Sequence, residues 1–332
     1  MRAGLIALLF LAAVVLTLGV GVRDLSASDV WQAIFAYDPG DPAQVVLAQI
    51  RLPRLATGLV AGAALGLAGC VIQALTRNPL ADPGLLGVNA GAAFSVVIGA
   101  LALGGASAGL TAALAFPGAA VAGAAVFLLG GGLRGEPGPV RLTLAGVAVS
   151  ALLYSLINAL VLIRSDALEV FRYWVAGSLA QGLNKPLLSM ACVTAAGWLI
   201  ALWIAPLLEI LSLGRDMARG LGTSPLRVQG GALLAVTLLT GAGVAIAGPI
   251  AFLGLIVPPL TRRLVGGARA GRGLRAELIA APFVGAAILL LADGMGRLVL
   301  APAEVRVGVM TAILGGPVFI WIARSLRPGE AR

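Results

Sequence analysis

The sequence predicts an all-α, polytopic membrane protein of about ten transmembrane helices. Three observations carry this. Of the 332 residues, 60% are hydrophobic and only 11% charged. The mean hydropathy is +1.03. The apolar residues fall in helix-length runs separated by short polar gaps. A soluble domain carries about 25% charged residues, whereas a span needs about 20 mostly apolar residues to cross roughly 30 Å of hydrocarbon.

In chain order the spans are predicted at 3–22, 52–76, 84–104, 110–132, 141–163, 187–207, 225–247, 249–265, 276–299 and 307–325. The first follows Arg2 but shows no small-x-small cleavage site, so it reads as a retained span rather than a secretory signal. The second carries GLVAGAALGLAG, Gly58 to Gly69. With the glycines between Gly99 and Gly109 it predicts close helix contacts through small residues rather than a dinucleotide fingerprint. Cys70 and Cys192 fall inside spans, where a thiol behaves as a small hydrophobe, and no disulfide is expected.

Placing the N-terminus inside puts fifteen of the 23 basic residues and six of the 14 acidic ones on the inner face. The outer face keeps eight of each, so the whole net charge of +9 lies on one side, as the positive-inside rule requires. The run from Arg262 to Arg275 is read as part of that signal, and both termini are expected in the cytoplasm. No soluble basic domain is present to bind nucleic acid.

The chain contains no histidine, and its single lysine, Lys185, is not preceded by glycine. A phosphate-binding loop is therefore excluded, together with histidine triads and His-ligated zinc. No catalytic, cofactor or metal residue is assigned. Asp293 is the one carboxylate placed within a span, towards its outer end. Proton-coupled carriers generally need ionisable groups near the bilayer centre, so a secondary transporter is the rival reading and a permease driven by a separate ATPase fits better.

Two polar gaps stand out. In Leu211 to Gln229, Met217 and Leu221 form an i, i+4 apolar stripe, with Arg215, Asp216 and Arg219 on the polar side. Gly220 and Gly222 limit this helix to about two turns, and Ser224 with Pro225 is expected to cap the next one. The helix docks into a partner or lies on the membrane surface. In TRNPLADP, Thr76 to Pro83, Asn78 and Asp82 each precede a proline and each is expected to cap a helix start. The break is a reverse turn or an inner constriction of a pathway.

RLPR at 51–54, Gln73 with RNPLADPGLLG at 77–87, GPIAFLGLIVPP at 248–259 and ADGMGR with GGPVFIW near the end resemble the FecCD-type importer permeases. These are membrane subunits of binding-protein-dependent ABC transporters for iron-siderophore complexes, haem and vitamin B12. RNPLADPGLLGVNAGA, PVRLTLAGVA, GPIAFLGL and RYWVAGSL most resemble the ferric-enterobactin permeases among them. The resemblance implies the type II ABC importer permease fold, with 1–332 as one transmembrane permease domain. It implies a second permease subunit, identical or paralogous, two ATPase subunits holding ATP and Mg, and an extracytoplasmic substrate-binding protein.

The same resemblance assigns residues. Arg51, Arg54 and Arg297 are expected to dock the binding protein, which suits arginine's planar fork; the alternative is helix-end arginines snorkelling to headgroups. Gly214, Met217, Ala218, Leu221 and Gly222 are expected to contact the ATPase. Asn78 and Leu80 match inner-gate positions, with Pro139 and Val140 as the second gate element. Two departures are Pro258-Pro259 where the family usually has Pro-His, and Gly267-Ala268-Arg269 where it has Asp-His-Arg. The expected cargo is an iron-siderophore complex imported through the cell membrane, with haem or vitamin B12 as alternatives.

Overall fold

Hydrocarbon offers no partner to a backbone N–H or C=O, so an apolar run of this length satisfies both within itself by coiling into an α-helix. The computed structural model describes residues 2–19, 30–32, 35–105, 107–132, 139–266 and 273–325. The helices are α1 (Arg2–Gly19), α2 (Leu52–Thr76), α3 (Val88–Leu103), α4 (Ala108–Leu129), α5 (Pro139–Ile163), α6 (Ser165–Val175), α7 (Leu187–Ser212), α8 (Arg215–Gly220), α9 (Pro225–Ala247), α10 (Leu253–Val265), α11 (Leu274–Val299) and α12 (Val307–Ser325). No strand occurs among the described residues. Each of the ten predicted spans corresponds to one of these helices.

Four details differ from the expectation. The second span starts earlier, because a short helix at Pro42–Val46 and a π turn at Leu47–Arg51 run into α2, making an apolar segment of 35 residues. Amphipathic α6 was not foreseen. Ser224 occupies the cap position of α9 without a side-chain bond, and Pro225 alone marks the start. Asn78 accepts the Leu80 N–H at 2.9 Å and so closes a turn rather than starting a helix. Asp82 does cap a short turn of helix at Pro83–Leu86. Arg269, Arg272, Gly267 and Ala268 lie outside the described residues.

α2 and α9 form the centre, and α11, α7, α10 and α4 pack around them. Glycine makes this density attainable. A Cβ on Gly62 would lie 2.6 Å from the Ala286 Cα, and one on Gly285 would lie 2.2 Å from the Gly62 carbonyl oxygen. Backbone therefore meets backbone where α2 crosses α11, the close approach expected of small residues in membrane helices. Cys70 is buried in α2, and Cys192 is exposed on α7.

Candidate functional site

The alternation of helices gathers functional side chains at two opposite ends. The N-terminal end of α2 meets the C-terminal ends of α1 and α11. Its proline at the second position costs nothing, since a first-turn N–H has no intrahelical partner. Here Arg54 forms a bidentate pair with Asp293, Nε to Oδ2 at 2.8 Å and Nη2 to Oδ1 at 2.9 Å, while its Nη1 donates to Glu304 Oε2 at 2.8 Å. Arg297 stands one turn below Asp293, with Nε 3.5 Å from Oδ2, and donates to the Thr17 carbonyl at 3.2 Å. Arg51 donates to the carbonyls of Leu18 and Gly19.

The three arginines expected to dock the binding protein are thus brought together at one end of the bundle, but none projects freely. They are 4–6% exposed. Arg51 and Arg297 place positive charge on the last carbonyls of α1, where a helix dipole favours it. Asp293 is 1% exposed and lies against two guanidiniums. It is not the only enclosed carboxylate. Glu277 is buried in the first turn of α11 and paired with Arg262 at 3.0 Å.

Beside this cluster opens a cavity of about 670 Å³, bounded by Arg54, α6, the 178–185 loop, the end of α9 and residues 304–307. Its wall carries Asp166, Glu169, Glu304, Lys185 and Arg306, with the Tyr173 and Trp174 rings. Lys185 Nζ donates to the Ser178 carbonyl at 2.9 Å. Burial, aided by the Arg54 charge and opposed by Asp293, pushes its ammonium down to about 8. Arg306 lies over the Tyr173 ring at 4.7 Å and donates to the Tyr173 carbonyl. This chamber was missed in the sequence. Its signal was legible in Ala167, Val170, Phe171 and Trp174, an i, i+3, i+4, i+7 stripe that predicts α6.

At the opposite end, Arg77 takes the left-handed conformation, φ 53°, and donates to the Leu211 carbonyl, terminating α2. Asn78 and Leu80 are exposed in the turn that follows. The Pro83–Leu86 turn packs on α5, where a Cβ at Gly146 would lie 2.0 Å from the Leu85 carbonyl oxygen. Pro139 opens α5 and Val140 is exposed at its start. Behind the break, Gln73 accepts from Arg262 Nη2 at 2.9 Å, and Arg262 continues to Glu277, so one polar chain ties α2, α10 and α11 together.

α8 is also at this end. Leu213, Met217 and Leu221 are exposed, whereas Ala218 is fully buried and seats the helix on the rest of the chain. Gly214, at φ 118°, and Gly222, at φ 75°, bracket it in conformations that glycine adopts without strain. Arg219 lies 3.9 Å from Asp216 on the exposed side. Among the described residues no group of three metal-ligating side chains occurs.

Residues 8–325 match the FecCD transport family. The ferric enterobactin transport system permease protein FepD of Escherichia coli (strain K12) is 45% identical over 98% of this chain and 95% of its own. The hemin transport system permease protein HmuU of Yersinia pestis is 36% identical, over 98% and 96%. Among solved structures, a metal-chelate type ABC transporter in an inward-facing conformation superposes with a TM-score of 0.80 at 30% identity, covering 97% of each chain. A bundle of apolar helices with a polar chamber at one end and a short helix exposing Met217 and Leu221 at the other fits a membrane permease. The chain belongs to the FecCD transport family.

Proposed function

We propose that this chain is the permease subunit of a binding-protein-dependent ABC importer that carries an iron-siderophore complex into the cytoplasm. The observation that carries the reading is the 45% identity, over nearly the full length, to a ferric enterobactin permease. ATP is hydrolysed on separate subunits. The absence of a glycine-lysine phosphate loop supports that division of labour.

In this reading the Arg54 end faces outward and receives the binding protein, with Arg51 and Arg297 shaping that surface. The Arg77 end faces the cytoplasm together with both termini, which accords with the excess of positive charge assigned there. Asn78, Leu80, Pro139 and Val140 border the inner gate. Gly214, Met217, Leu221 and Gly222 meet the ATPase, and Ala218 anchors the helix from behind. Two permease subunits, two ATPase subunits and one binding protein complete the transporter.

The test is to purify the chain with its ATPase, identify the extracytoplasmic binding protein recovered with it, and titrate that protein with ferric siderophores, haem and cobalamin while following its intrinsic fluorescence. Quenching by a ferric siderophore is expected. Quenching by haem or cobalamin alone overturns the substrate assignment.

A further inference from the structure

The five N–H groups of Arg54 are divided unequally. Nε and Nη2 are engaged by both oxygens of Asp293, a pair in which the side chains are 8% and 1% exposed. Nη1 is engaged by Glu304, whose side chain is 42% exposed and stands on the cavity wall. Breaking the first pair strands a buried charge and is costly. Breaking the second returns a half-exposed carboxylate to water while Arg54 stays paired with Asp293, and so costs less. The Nη1 edge of Arg54 is therefore the exchangeable one.

Glu304 also lies in a short strap across the chamber. Its neighbour Val305 donates its N–H to the Gly296 carbonyl of α11 at 2.9 Å. Arg306, next again, stacks on Tyr173 of α6 and donates to its carbonyl. Three consecutive residues thus join α2, α11 and α6, and the first of these attachments opens onto the cavity.

We propose that Glu304 is a built-in placeholder, a carboxylate that occupies the open edge of Arg54 until a carboxylate side chain of the extracytoplasmic binding protein replaces it. The inference rests on the docking reading given above. One carboxylate leaves as another arrives, so Arg54 never stands unpaired and the local net charge of the chain is unchanged. The exchange also frees the strap at its α2 attachment, so the chamber beside α6 senses occupancy. The displaced Glu304 competes with the partner, and its removal tightens docking.

The test uses the assembled transporter in lipid nanodiscs and the binding protein recovered with it, with and without its ferric chelate. Glu304→Gln is expected to tighten binding about 2- to 5-fold, the scale of a weak ion pair with one half-exposed partner, and the gain shrinks as salt is raised. Glu304→Asp, which restores the charge, returns affinity towards the parent. The paired variant Arg54→Gln with Asp293→Asn, which removes both charges of the bidentate pair while Arg297 keeps its bond to the Thr17 carbonyl, is expected to weaken binding and to abolish the effect of Glu304→Gln. Weakening by the paired variant without tightening by Glu304→Gln overturns the placeholder while docking stands. No change in either overturns docking at Arg54 itself. Tightening seen only with the chelate-loaded protein means that the chelate supplies the anion, and overturns the exchange with a protein carboxylate.

Discussion

Asp82 accepts the Gly84 N–H at 2.7 Å, and burial pushes its carboxyl up from 3.8 to about 6 against the pull of that bond. A raised carboxyl value means that ionising the group costs more in the folded chain than in the unfolded one. The cost is absent below about pH 4 and complete above pH 6. Asp82→Asn keeps the turn's acceptor and removes the charge. Its stability advantage over the parent is expected to grow by about 1 kcal/mol between pH 5 and pH 8. Melting of both proteins in detergent across that range checks it, and a difference independent of pH refutes it. Sequence identified Asp82 as a cap and, through the family resemblance, Arg51, Arg54 and Arg297 as expected docking residues. It did not identify their partners, because Arg54 meets Asp293 and Glu304 across 239 and 250 residues. A contact of that kind is set by how helices cross, which no local pattern records.

Among the elements, the long spans were legible because hydrophobic length is a strong signal, and the additional structure was not because it is short. The π turn before α2 continues an apolar run without a break in pattern, so the pattern did not separate it from the span placed at 52–76. α6 carries a helical stripe over only 11 residues between two spans. α8 was legible as an apolar stripe, but its orientation required the fold, which turns Ala218 inward and leaves Met217 and Leu221 outward. Single cysteines at Met217 and Leu221, in a Cys192→Ser background, are expected to cross-link to the ATPase in membranes, while Ala218→Cys is not. Leu221→Asp is expected to reduce substrate-stimulated ATP turnover about tenfold with stability nearly unchanged, since exposed substitutions shift stability by only about 0.5 kcal/mol. Cross-linking at Ala218 rather than its neighbours contradicts this face.

At the scale of the whole molecule, burial is uneven in an instructive way. Of the most apolar stretch of the segment containing α2, 78% is buried, against 11% for α5. Only Leu142, Gly146 and Ile157 of α5 are enclosed among its described side chains, so most of its circumference awaits something outside this chain. The exposed surface divides into two stripes. Leu152, Leu156, Ala159 and Ile163 are apolar and suit lipid. Between Leu144 and Leu162, the other carries Ala148, Ala151, Ser155 and Asn158, which are small or polar, and an asparagine facing hydrocarbon is unfavourable. The second stripe therefore faces a water-filled pathway or the second permease, and the proposed importer supplies both. With Cys192→Ser as background, Ser155→Cys is expected to react with a membrane-impermeant thiosulfonate or to cross-link to the other permease subunit. Leu156→Cys, one residue and about 100° of helix away, is expected to do neither. Equal reactivity at the two positions would place α5 wholly against lipid or wholly in water, and would remove it from the wall of the pathway.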